Sequence, residues 1–106
     1  MKVSLAQAFE KLGKSANPFE QVMANGTITV EIYKPQQVDL QQPRSQDEHY
    51  IKISGSGNFY NSGNITNFKP LDVLFVPAGI EHRFENFTDD FATWVIFYGQ
   101  QGGESA

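Results

Sequence analysis

Cysteine is absent from this 106-residue chain, which rules out a disulfide framework and a thiolate metal site and makes the reducing cytoplasm the expected setting. Positive charge is scarce: 8 Lys and Arg stand against 12 Asp and Glu, a formal net charge of −4. Phosphate binding needs clustered Lys and Arg, so no nucleic-acid partner is expected. No run of apolar residues is long enough to span a bilayer, and the N-terminus has none of signal-peptide length, so no membrane partner is expected either. The N-glycosylation patterns at Asn25, Asn64 and Asn86 are accordingly read as incidental. Aromatics are plentiful instead, with 9 Phe and 4 Tyr, a supply that suits an all-β interior. The length fits a single domain, residues 1–106, with its core over about 27–99 and a flexible tail over 100–106.

Periodicity gives one helix and a series of strands. Ser4 and Gln7 make a capping-box pattern, Leu5, Ala8, Phe9 and Leu12 mark one apolar face, and Gly13 is placed to end the helix. From Thr27 to Tyr33 the chain alternates, with Ile28, Val30 and Ile32 on one face and Thr29, Glu31 and Tyr33 on the other. Further strands are expected at Glu48–Ile53, around Asn58–Tyr60, and at Asn64–Phe68, Asp72–Val76, His82–Asn86 and Ala92–Tyr98. Asn61-Ser-Gly63 reads as a hairpin turn, and Pro77 with Gly79 as a corner that needs a positive φ at the glycine. Short strands at this spacing mean a sandwich or barrel. On the strand after the corner, His82, Phe84 and Asn86 share a face, so one imidazole points inward beside an aromatic ring. Such a histidine is either a satisfied core residue or a ligand.

Two segments together resemble the cupins, small jelly-roll barrels. The second motif of that family, Pro-x-Gly followed by a His and an Asn, stands as Pro77-Ala-Gly79-Ile-Glu-His82-Arg-Phe-Glu-Asn86, without its usual leading Gly. The first motif stands as Gln42-Pro-Arg44-Ser-Gln-Asp-Glu48, with Glu48 at the family's distance from Gly55. The resemblance covers roughly Thr27 to Gly99 and implies an all-β cupin jelly roll with a short N-terminal helix. In metal-binding cupins two or three His and one Glu hold a divalent ion. The first-motif His positions here are Gln42 and Arg44, leaving Glu48 and His82 as strong ligands. Two are too few for tight transition-metal binding, and a guanidinium cannot deprotonate to become a ligand. The resemblance therefore implies a degraded site with no tightly bound cofactor, or at most a weak divalent metal on Glu48 and His82 with Gln42. Arg44→His should then restore a third ligand.

Three kinds of function follow. The first expectation is a barrel whose mouth binds a small polar, perhaps anionic, ligand through Gln42, Arg44, Glu48, Tyr50, His82 and Phe84, with Trp94 as a further wall. Arg44 or Lys52 would pair with Glu48, while His49 should point to the opposite face. The alternatives are a metal-dependent cupin enzyme of dioxygenase or isomerase type using Glu48 and His82, and a metal-independent isomerase or epimerase using His82 as base and Tyr50 as acid. Family resemblance and spare apolar surface imply a homodimer.

Overall fold

The computed structural model describes residues 1–104. Helix α1 (Leu5–Gly13) starts with the expected capping box: Gln7 N donates to Ser4 Oγ at 3.1 Å and Ser4 N to Gln7 Oε1 at 2.8 Å. Ala8 is its fully buried residue, and the helix lies against the first two strands. The strands are β1 (Phe19–Asn25), β2 (Ile28–Tyr33), β3 (Asp47–Ser54), β4 (Gly57–Asn61), β5 (Asn64–Phe68), β6 (Val73–Val76), β7 (His82–Glu85) and β8 (Ala92–Tyr98). They form a five-stranded sheet, β1-β2-β8-β3-β6, and a three-stranded sheet, β5-β4-β7, antiparallel throughout. This is the expected all-β jelly roll with one short helix. Strand β1 was not resolved by the sequence reading, because Glu20-Gln21-Val22-Met23 breaks the alternation where β1 carries a bulge between Gln21 and Met23.

Register decides which side chains enter the barrel. Three rows cross the inner face of the larger sheet: Phe19–Tyr33–Thr93–Lys52, Gln21–Glu31–Val95–Tyr50–Leu74 and Thr29–Phe97–Glu48–Val76. The smaller sheet answers with the pairs Asn61–His82 and Phe59–Phe84 and with Phe68. Tyr50, Phe59, Phe68, Phe84 and Phe91 are each at most 2 % exposed and form the centre of the core. Their rings meet edge-on or tilted, as the aromatic quadrupole prefers, with Tyr50 and Phe84 4.9 Å apart and Phe84 and Phe91 4.8 Å apart. Gly55 allows the chain to bend closely over Phe91: a Cβ there would lie 2.6 Å from the Phe91 Cα.

Five strands face three, so the inner face of β1 and β2 has no strand opposite it. The loop between Tyr33 and Asp47 crosses that gap instead. The stretch expected as a tail, residues 100–106, folds back through its described part: Gly102 N donates to Ser45 O at 2.7 Å and Glu104 N to Asp47 Oδ2 at 2.8 Å. No helix among the described residues is long and apolar enough to cross a membrane.

Candidate functional site

Asp39 holds the crossing loop in place. Its Oδ1 accepts from the Tyr33 hydroxyl at 2.6 Å and from Gln41 N at 3.1 Å. Its Oδ2 accepts from Gln41 Nε2 at 2.7 Å and from Phe84 N at 2.8 Å. That last bond satisfies a donor on the free edge of β7, the place where a fourth strand would otherwise pair. Burial, then the bond to Asp39, pushes the Tyr33 hydroxyl far above its ordinary pKa, so it remains a donor. The loop is also pinned from the corner, where Gly79, at φ +78°, donates its N–H to Arg44 O at 2.7 Å. This fixes the backbone from which the Gln42 and Arg44 side chains project.

Beneath the loop, Glu48 and His82 meet face to face. Glu48 Oε1 lies 2.8 Å from His82 Nε2, and both side chains are at most 1 % exposed. The contact is an ion pair whenever the imidazole is protonated. His82 Nδ1 donates to Ile80 O at 2.8 Å, which directs Nε2 toward the carboxylate. Burial pulls the imidazole pKa down, but the Glu48 carboxylate and the Ile80 carbonyl outweigh it, and the net direction is up. Arg44 does not join this pair: its guanidinium carbon stands 4.9 Å from the centre of the Phe97 ring. The expected Glu48 partner, Arg44 or Lys52, is thus His82 in the fold.

A divalent metal of the kind cupins hold does not fit these residues. Glu48 and His82 occupy each other, and no group of three His, Cys, Asp or Glu side chains converges among the described residues.

Lys52 is the other unusual group. It is 1 % exposed, and its Nζ finds no hydrogen-bond partner among the described residues. Aromatic rings surround it, with Phe84 at 4.3 Å, Tyr50 at 4.6 Å and Phe68 at 5.3 Å from the nitrogen. Burial drives its pKa down to about 6, against weaker opposing pulls from Asp72 and Glu48.

The open space lies to the side of this cluster. A cavity of about 1060 Å³ runs along the unopposed face of β1 and β2, under the loop and the end of α1. Its apolar walls come from Phe9, Leu12, Phe19, Val38, Leu40 and Phe97, and its polar groups include Glu31, Gln42 and Arg44. Glu31 is half-buried. Burial raises its pKa, partly offset by the positive field of Arg44.

The expected site residues therefore separate. Gln42 and Arg44 line the cavity; Glu48, Tyr50, His82 and Phe84 pack in the closed interior beside it. The Tyr50 hydroxyl is committed to Gln41 Oε1 at 2.8 Å, and its ring centre lies 6.1 Å from that of His82. Trp94 belongs to the outer face, beside Ile51 and Ile96. His49 also faces outward, stacked on Tyr98 with ring centres 5.3 Å apart. Glu31 escaped the sequence reading. Alternation placed it with Tyr33, but only the register with β8 shows that their common face is the inner one.

No family model matches the chain. An uncharacterized protein of Streptomyces coelicolor is 34% identical over 59 residues, which is 56% of this chain and 56% of that protein, so the chain spans little more than half of the relative's length. Among solved structures, a cupin 2 conserved barrel domain protein from Leptotrichia buccalis superposes with a TM-score of 0.66 at 20% identity, over 76% of this chain and 40% of that one. A second cupin 2 conserved barrel domain protein, from Salinispora arenicola, gives 0.64 at 19% identity, over 76% and 74% of the two chains. A protein from Neisseria meningitidis gives 0.72 at 15% identity and covers 93% of this chain and 100% of its own. The fold is that of a small cupin barrel.

Proposed function

We propose that the protein binds a small polar or anionic organic ligand in the cavity along β1 and β2, with Arg44 as the anchoring group. The observation that carries this reading is a guanidinium over the Phe97 ring in a walled cavity, with no carboxylate in contact with it among the described residues. Guanidinium is a strong partner for carboxylate or phosphate because its charge-assisted hydrogen bonds can be bidentate. Glu48 and His82 then serve as a buried pair that holds β3 to β7 and so supports the cavity floor. The enzymatic alternatives would need His82 or Tyr50 to reach a substrate. Both are buried, and neither lines the cavity, which favours binding.

Homodimerisation and a cytoplasmic setting are parts of the same proposal. Val30, Ile51, Trp94 and Ile96 form an apolar outer face, continued by Val73 and Phe75 at 60% and 45% exposure. The test of the binding claim is a thermal-shift screen of small organic carboxylates and phosphates on wild type and Arg44→Met. A set of ligands that raises the midpoint of wild type and loses its effect in the variant supports the proposal. Stabilisation that survives the substitution contradicts it.

A further inference from the structure

Resting on that cavity-binding reading, we infer that the ligand is a zwitterion with an apolar side group, of the amino-acid type: its carboxylate meets Arg44 and its ammonium meets Glu31. Several polar groups around the cavity are already engaged. The Tyr33 hydroxyl donates to Asp39, Gln41 is bonded to Asp39 and Tyr50, and Lys34 Nζ donates to Asp89 O at 2.8 Å. Among the charged cavity side chains this leaves Glu31 and Arg44 without a hydrogen bond or ion pair among the described residues, with the Gln42 amide beside them.

Register places the two charges on the same part of the wall. Glu31 pairs with Val95 and Phe97 with Thr29, so Glu31 and Phe97 are diagonal neighbours on one face of the sheet. Such neighbours stand ~7–8 Å apart, and the Arg44 guanidinium sits over the second of them. Two opposite charges on one stretch of the cavity wall, unpaired with each other among the described residues, leave room for a ligand that presents both signs between them. A ligand with a carboxylate alone would satisfy Arg44 but press its charge toward Glu31, whereas an amine alone would leave Arg44 uncompensated. The apolar part of the wall (Phe9, Leu12, Phe19, Val38, Leu40) suits a hydrocarbon group, and other polar side chains of the lining, such as Asn17 and Gln36, carry no charge to compete for either end of the ligand.

The test is calorimetric titration of wild type, Glu31→Gln and Arg44→Met with three probes of one shape: phenylalanine, 3-phenylpropionate and 2-phenylethylamine. Wild type should prefer phenylalanine over each singly charged probe by about tenfold to a hundredfold, the range that a charge-assisted hydrogen bond supplies. Glu31→Gln should erase the preference over 3-phenylpropionate while still binding that acid, which also shows that the variant is folded. Arg44→Met should erase the preference over 2-phenylethylamine. If 3-phenylpropionate binds wild type as tightly as phenylalanine does, the zwitterion inference is overturned while the cavity reading stands. If phenylalanine shows no binding at millimolar concentration, the inference is again overturned, and the outcome for 3-phenylpropionate decides whether the cavity reading falls with it.

Discussion

A lysine amine enclosed by aromatic rings is an expensive thing to fold around. Transfer of the charged form from water is unfavourable, so burial holds the Lys52 pKa down at about 6, against 10.5 in an exposed lysine. Between those values the unfolded chain binds a proton that the folded chain does not. Stability should therefore rise with pH from about 6 toward 10.5, by at most about 1.4 kcal/mol per pH unit from this group. Lys52→Met removes both the slope and the unsatisfied nitrogen. We predict a gain of about 1–3 kcal/mol in urea unfolding at pH 7, with a flatter pH profile; a loss of stability would mean that Nζ has a partner in solution. His82 acts in the opposite sense. Its folded pKa is raised, so its contribution is fully present below the ordinary imidazole value and fades as pH rises through the folded one. Glu48→Ala leaves the buried imidazole without its counter-charge and should cost about 3–5 kcal/mol, measured by the same unfolding experiment near pH 6.

Among elements, the loop from Lys34 to Gln46 does most to shape the site, and Asp39 does most to shape the loop. It collects bonds from Tyr33, Gln41 and Phe84, residues on β2, the loop itself and β7. We predict that Asp39→Ala destabilises the fold by about 1–3 kcal/mol, and that hydrogen exchange quickens at Phe84 and along residues 38–44. Ligand affinity should fall with it, because Gln42 and Arg44 project from the same loop. Unchanged protection at Phe84 would contradict this role. Element boundaries were legible in the sequence where alternation was clean, as at Asn64–Phe68 and Ala92–Tyr98, whose observed limits match the expected ones. The capping box at Ser4 and the positive φ at Gly79 were legible too, because both are local chemistry. The bond from Phe84 to Asp39 was not, since it joins residues 45 apart in the chain. Nor was the inward turn of Glu31, because a strand's period gives two faces without saying which is inside. The motif spacing likewise placed Glu48 and His82 correctly in one barrel, but it could not show that they would pair with each other and leave the open cavity to their neighbours.

At the scale of the whole molecule, the larger sheet exceeds the smaller by two strands, and both candidate surfaces follow from that mismatch. Its inner excess makes the cavity; its outer face carries Trp94, Ile96 and Ile51, which nothing among the described residues fully covers. We predict a dimer by light scattering, converted to monomer by Ile96→Glu with the fold retained by circular dichroism. A wild-type monomer at high micromolar concentration would dismiss the sheet-to-sheet dimer. The central claim remains that the ligand site is the cavity beside β1 and β2 and not the buried Glu48–His82 pair. Nuclear magnetic resonance of isotope-labelled protein titrated with phenylalanine and 3-phenylpropionate tests it most directly. The account predicts shifts concentrated at Glu31, Leu40, Gln42, Arg44 and Phe97, with Glu48 and His82 little moved. Shifts centred on Glu48 and His82, with Arg44 and Glu31 silent, would contradict it.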